Sequence, residues 1–269
     1  MMFRVQQPGA RKLSLLKIPS GNDYIVGRLY IADGEEAKPT IVLLHGFPGV
    51  VLNLDIAASL QDKGWNVLVI NYRGSWGSSG NYSFANAIED VQITLKYIRQ
   101  ADVAKEHRID IERIGLVGHS FGGFLALKTA SVDPTIRVVA SLSGANFSLF
   151  IKMIEQNPQL ENQIVQMLED ATFFLKNSSG EKLIQEVRDH EDEWNTFLFA
   201  GDLANRKLLI TAATSDEELP KEYFHDPFVQ ILEGTGAKFE TAIFDTDHNY
   251  LDKRTELTNI LHEWLLNNL

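Results

Sequence analysis

The pentapeptide Gly118-His119-Ser120-Phe121-Gly122, followed by Gly123, has the spacing of a serine carried on a tight turn. An apolar run, Ile114 to Val117, leads into it, and a helical pattern, Phe124-Leu125-Ala126-Leu127-Lys128, leaves it. A strand–serine–helix turn forces the serine toward strained backbone angles, and glycine at 118 and 122 relieves crowding against the neighbouring strand and helix. Such a turn lifts the Ser120 hydroxyl above the carboxyl end of a sheet. It also aims the first N–H groups of the helix at the same point. The bland reading is a glycine-rich turn with an incidental serine; the flanking elements favour a nucleophile. Serine needs a base to react. Of the seven histidines, His248 lies in Asp245-Thr246-Asp247-His248-Asn249-Tyr250, between the last strand pattern and the last helix pattern. That places it at the sheet edge where Ser120 is expected. An acid must then orient the imidazole, and the chain order Ser…Asp…His points to the loop after Lys207 to Ala213. Asp216 is the first carboxylate there; Glu217 and Asp247 are its rivals, and its bland role is to cap the next helix. A second turn, His45-Gly46-Phe47-Pro48-Gly49, follows the run Thr40 to Leu44. The Phe47 and Phe121 N–H groups are expected to converge as two donors for an oxyanion, with the His45 side chain bracing the loop.

These residues need a sheet to bring them together, and the chain alternates accordingly. Leu13 to Ile18 and Tyr24 to Ile31, separated by Pro19-Ser20-Gly21-Asn22, read as an antiparallel hairpin. Continuous apolar runs follow at Thr40 to Leu44, Asn66 to Ile70, Ile114 to Val117, Val138 to Leu142, Lys207 to Thr211 and Phe239 to Phe244. Runs of that kind suit strands buried on both faces. Helical patterns lie between them, such as Leu54 to Lys63 before Gly64, Phe84 to Arg99, and the final Leu257, Ile260, Leu261, Trp264 and Leu265. Eight strands, the first two antiparallel, in an α/β fold with helices on both sides are expected. From Phe147 to Asn205 no strand run occurs. That length exceeds an ordinary crossover, so residues 147–205 are read as a helical cap inserted between strands six and seven. Residues 1–146 and 206–269 then form the core.

Composition narrows the function classes. The 269 residues carry a net charge of −11, which disfavours nucleic acid. The absence of cysteine excludes thiol catalysis and Cys-ligated zinc. No His-Glu-x-x-His, phosphate-binding loop or G-x-G-x-x-G occurs, so neither a metal nor an organic cofactor is expected. No membrane span is expected, and residues 1–8 lack the pattern of a secretory leader, which suggests a cytoplasmic protein. Of the net charge, −7 falls in residues 147–205, from 11 acidic and 4 basic residues.

Together these features resemble the α/β-hydrolase superfamily over roughly residues 10–146 and 206–269. Gly118 to Gly123 looks like its nucleophile elbow, His45 to Gly49 like its oxyanion turn, and Asp216 with Pro220 like its acid loop. Asn71-Tyr72-Arg73-Gly74-Ser75-Trp76-Gly77-Ser78-Ser79-Gly80, with Phe84 and the Glu89-Asp90 pair, is similar to bacterial esterases near the prolyl-oligopeptidase branch. Asp247-His248-Asn249-Tyr250, with Asp252 and Arg254, is similar to the histidine loop of that branch and of cinnamoyl-type esterases. Two departures from that branch are read: no N-terminal propeller is expected from these 269 residues, and Asn249-Tyr250-Leu251 stands where a small serine near Asp252 is usual. The resemblance implies a carboxylesterase-like serine hydrolase acting on small neutral esters through Ser120, His248 and Asp216. The same residues suit a peptidase or amidase, or a thioesterase or acyltransferase. A noncatalytic binding protein on the scaffold is the remaining alternative. Phe147, Phe150, Phe173, Phe174 and Trp194 are candidates for an apolar acyl pocket or for the core of the cap.

Overall fold

The computed structural model describes residues 12–269. The expectation about a leader concerns residues 1–8, outside the described residues. The described chain forms an eight-stranded sheet in the order β1-β2-β4-β3-β5-β6-β7-β8. The strands are β1 (Lys12–Ser20), β2 (Asp23–Ile31), β3 (Lys38–Leu44), β4 (Asn66–Asn71), β5 (Ile109–His119), β6 (Val138–Leu142), β7 (Lys207–Ala213) and β8 (Lys238–Phe244). β1 pairs antiparallel with β2, and β2 antiparallel with β4; every other pair is parallel. The hairpin between β1 and β2 turns through Gly21 at φ 59°, a left-handed angle that glycine adopts without a Cβ clash.

The period of two along each central strand divides the core. Ile41 and Leu43 of β3, Val67 and Val69 of β4 and Val117 of β5 face α1 (Leu54–Asp62) and α10 (Arg254–Asn268). Val42, Leu44, Leu68, Ile70 and Leu116 belong to the opposite cluster, with α2 (Phe84–Ile98) and α4 (Phe121–Val132). A strand apolar at every position therefore sits between two helical layers. α1 ends as its sequence predicts, with Gly64 at φ 96° donating to the Gln61 carbonyl. α2 is capped by Ser83, whose hydroxyl accepts from the Asn86 N–H at 3.0 Å. α3 (Ala101–His107) and the pair α8 (Lys221–Phe224) and α9 (Asp226–Thr235) complete the crossovers. β8 differs from its expected burial: only Phe244 is buried, and Ile243 is about half exposed. As the last strand of the sheet it pairs with β7 alone, so its run is apolar on one flank only.

Between β6 and β7 the chain forms α5 (Phe147–Gln156), α6 (Leu160–Asp170), α7 (Gly180–Asp189) and a 3-10 turn at Ala200–Leu203. Ser179 caps α7 by accepting from the Lys182 N–H. A Cβ on Gly180 would lie 2.1 Å from the Val165 carbonyl oxygen, so glycine there lets α7 start against α6. Phe147, Ile151, Leu168, Ile184 and Trp194 join the hydrophobic cluster that also holds Phe84, Phe121 and Phe124 of the sheet domain. Glu186 of α7 accepts from the Phe84 and Ala85 N–H groups at 2.8 and 3.2 Å. A carboxylate thus sits on the positive end of α2 and ties α7 to it.

Candidate active site

Ser120 occupies the junction between β5 and α4 with φ 56° and ψ −120°. This is a strained backbone for a residue with a Cβ, and its surroundings leave no room to relax. A Cβ on Gly118 would lie 1.9 Å from the Gly122 carbonyl oxygen, and one on Gly122 would lie 2.1 Å from that of Leu44. Only glycine fits at either place, as the spacing predicts. The Ser120 N–H donates to the Leu142 carbonyl at 2.9 Å, and its carbonyl accepts from Gly123, Phe124 and Ala145. Strand β6 and the first turn of α4 therefore hold the serine from both sides.

The turn after β3 reaches the same place. A Cβ on Gly46 would come within 3.0 Å of Ser120 Cβ. The Phe47–Pro48 peptide is cis. Among the described residues neither the Phe47 nor the Phe121 backbone N–H has a hydrogen-bond partner. The His45 side chain is buried; its Nδ1–H donates to the Gly46 carbonyl at 2.7 Å, and the ring lies 4.3 Å from that of Tyr72. Burial pushes its pKa down to about 4, so the ring is neutral and structural. Tyr72 donates to the His45 carbonyl at 2.9 Å. Arg73, next in the chain, is tied to buried Asp90 of α2 through its N–H at 2.7 Å and Nε at 2.5 Å. The Asn71-to-Gly80 segment thus braces the turn that approaches Ser120.

His248 lies in the loop after β8, and the structure brings it onto Asp216, with Nδ1 2.7 Å from Asp216 Oδ2. Both side chains are buried. A carboxylate only accepts, so Nδ1 carries a proton, and in the neutral ring the lone pair is on Nε2. The other Asp216 oxygen accepts from the Glu218 and Leu219 N–H groups at 3.0 and 2.7 Å. Asp216 therefore both caps the following turn and orients the imidazole; the two roles are not exclusive. Neither rival takes its place. Asp247 turns back on its own loop, accepting from the Asn249 and Leu251 N–H groups at 3.1 and 3.0 Å. Glu217 lines a cavity instead.

Four residues that the motifs did not single out for a role hold this loop. His119 Nε2–H donates to the His248 carbonyl at 2.8 Å, and burial, with the neighbouring imidazole, pushes its pKa down to about 3. Tyr250 is fully buried at φ 56°, with its hydroxyl 2.8 Å from both Ser143 Oγ and Thr211 Oγ1. Arg254 holds Asp55 of α1 through two hydrogen bonds and donates to the Asn249 carbonyl at 3.1 Å. Glu218 places its carboxylate 3.7 Å from His248 Nε2. Tyr250 belongs to the Asn249-Tyr250-Leu251 stretch that departs from the resembled loop, and it puts a buried phenol on the sheet end.

Two cavities open on Ser120. One, about 310 Å3, is walled almost wholly by apolar side chains, including Phe47, Phe121, Phe147, Phe150, Ile164 and Leu168. The other, about 190 Å3, is lined by the Gly46-to-Val51 turn, Ser120, His248 and Asn249. Of the five aromatic candidates, Phe147 and Phe150 line the first cavity. Phe173 is 85% exposed, Phe174 packs on Trp76, and Trp194 is buried against His190 and Phe84. Among the described residues no group of three or more His, Asp or Glu is placed to hold a metal ion. No helix there is long and apolar enough to cross a membrane.

Comparison with known proteins agrees with this fold. The family model for the alpha/beta hydrolase fold matches residues 39–263, most of the chain. Acylamino-acid-releasing enzyme 1 of Oryza sativa subsp. japonica is 32% identical over an alignment 167 positions long that covers 52% of this chain and 20% of that one. The chain thus spans about a fifth of that relative's length. Among solved structures, Pyrococcus furiosus esterase Pf2001 superposes with a TM-score of 0.68 at 17% identity, covering 96% of this chain and 91% of that one. Pyrococcus horikoshii acylaminoacyl peptidase superposes with a TM-score of 0.69 at 16% identity, covering 95% of this chain and 41% of that one. At such identities the structural likeness speaks to the fold.

Proposed function

The chain belongs to the alpha/beta hydrolase fold family, and we propose that it is a serine hydrolase of carboxylic esters working through an acyl-enzyme. The observation that carries this reading is Asp216 held on His248 Nδ1, with His248 and Ser120 lining one cavity. In the proposed reaction His248 Nε2 takes the Ser120 proton as Ser120 Oγ attacks the ester carbonyl. The Phe47 and Phe121 N–H groups hold the oxyanion, and His248 returns the proton to the leaving alcohol. Water, deprotonated by the same nitrogen, then releases the acid. Two amides aimed at developing charge are worth more inside a low-dielectric cavity than in water.

The 310 Å3 cavity supports an apolar acyl group as the part of the ester that binds there. A cavity of about 150 Å3 holds benzene, so this one suits a branched aliphatic or aromatic acyl chain better than acetyl alone. Residues 147–205 supply much of its wall, and we assign them the role of a cap that selects the acyl group. A peptidase reading on the same residues is favoured by the likeness to the acylamino-acid-releasing enzyme; rates on matched esters and anilides separate the two.

The test is Ser120→Ala with short p-nitrophenyl esters. Turnover is expected to fall by about 10^3-fold or more, with the melting temperature close to wild type. A fluorophosphonate is expected to label Ser120 in the wild-type protein. Undiminished turnover in the variant, or no adduct on Ser120, overturns the reading.

A further inference from the structure

We infer that Glu218 is a specificity-determining residue that selects substrates bearing a positive charge beside the scissile bond. The inference rests on the serine-hydrolase reading above and adds to it the charge of the substrate. Glu218 lines both cavities opening on the serine, as do Ser120 and Phe47. Its carboxylate lies 3.7 Å from His248 Nε2, on the side of the ring away from Asp216. A group there stands beside the place where the ester must lie for Nε2 to move its proton.

Its position is built rather than accidental. The Glu218 N–H donates to Asp216 Oδ1 at 3.0 Å, and the next N–H donates to the same atom. The backbone that carries this carboxylate is thus anchored by the acid of the triad. The side chain is about two-thirds exposed, and among the described residues no lysine or arginine pairs with it. A carboxylate at a cavity junction with no lysine or arginine beside it attracts cations and repels anions. The alternatives for a charge there are poor ones. A carboxylate gives nothing to a neutral ester, and beside an apolar cavity it carries a desolvation cost when a neutral group covers it.

The shared chemistry is an ammonium group two or three bonds from the ester. It can lie on the acyl side, as the α-ammonium of an amino-acid ester, or on the leaving side, as in a choline ester. In the first arrangement the apolar cavity takes the amino-acid side chain and Glu218 takes its ammonium. In the second, the cation sits in the 190 Å3 cavity. The acyl-transfer steps are unchanged: the same bond to Ser120 Oγ forms, and the same alcohol leaves.

Two matched pairs test the proposal at pH 6.5, where the amines are protonated. Leucine methyl ester is set against methyl 4-methylpentanoate, which lacks only the ammonium. Valerylcholine is set against 3,3-dimethylbutyl valerate, its uncharged carbon analogue. In the wild-type protein kcat/KM is expected to favour the cation by about tenfold in at least one pair, which is about 1.4 kcal/mol. The pair that shows the preference tells which side carries the charge. In Glu218→Gln that ratio is expected to fall to within about twofold of one, whatever the absolute rates. Glu218→Ala checks that the loss follows from the charge and not from the amide. A wild-type ratio near one in both pairs overturns the proposal, as does a ratio that survives in both variants. Failure of the parent reading shows differently, as a missing fluorophosphonate adduct on Ser120; failure of charge selection alone leaves that adduct and neutral-ester turnover in place.

Discussion

At the scale of single residues, the site turns on which atom of His248 is committed. Asp216 holds Nδ1–H, so removing its charge while keeping its shape changes the tautomer that the loop prefers. Asp216→Asn is expected to lower kcat by about 10^3- to 10^4-fold with little change in KM. Asp247→Asn, one residue from the imidazole, is expected to keep most of the activity. It weakens two local hydrogen bonds and costs roughly 1 kcal/mol of stability, read from urea midpoints. The reverse ranking would show that the acid is misassigned. The placement of Ser120, His248 and Asp216 at one edge of the sheet was legible because each follows a strand end. Glu218, His119 and Tyr250 were not, because their roles depend on where neighbouring loops cross, which no local pattern encodes. Tyr250 illustrates this: adjacent sequence marks it only as an anomaly, whereas its partners lie just after β6 and on β7, 107 and 39 residues away.

At the scale of elements, the loops are held by buried polar groups, and these have measurable consequences. Tyr250→Phe removes a phenol bonded to both Ser143 and Thr211 inside the protein. Buried hydroxyls left without a partner cost about 1–3 kcal/mol; a fall in kcat should accompany the lost stability, because the His248 loop is what the phenol anchors. His119 gives a pH signature. Its pKa is about 3 in the folded protein against 6.5 as the ordinary value, because burial disfavours the imidazolium. Between those values the unfolded chain binds a proton that the folded one does not. Stability is therefore fully present above pH 6.5 and is lost as the pH falls toward 3. The slope from one such group is about 1.4 kcal/mol per pH unit, and His45, at about 4, adds to it over the upper part of the range. Urea midpoints for His119→Asn are expected to fall less steeply than wild type between pH 6 and 4. Equal slopes would place the titrating group elsewhere. The strands were legible wherever both faces are covered, as in β3 to β7. β8 misled because a run of alternating character resembles a buried strand until its place at the sheet end is known.

At the scale of the whole molecule, charge is distributed unevenly, and the distribution meets the site. Residues 147–205 carry −7 of the net −11. Not all of that is free to act on a ligand. Glu186 is docked on the α2 N-terminus, Glu161 pairs with Arg188, and Glu193 pairs with Lys128. What remains sets a diffuse negative potential, and it differs in range from the contact made by Glu218. Exposed charges more than a Debye length apart, about 10 Å at 0.1 M salt, are largely screened, whereas a group at a cavity wall is screened less. Salt therefore separates the two contributions. Monomethyl succinate, an anion, is expected to react more slowly than methyl valerate, its neutral counterpart of similar length, at low ionic strength. Raising NaCl from about 20 mM to 500 mM should narrow that gap severalfold by removing the long-range part. In Glu218→Gln the gap should start smaller and keep a similar salt dependence, since the substitution removes the contact and leaves the segment's charge in place. A preference for the anion at low salt would refute the electrostatic account at both ranges. A salt dependence that vanishes with Glu218 alone would confine the selection to that one carboxylate and make the acidity of residues 147–205 a property of its solvated surface.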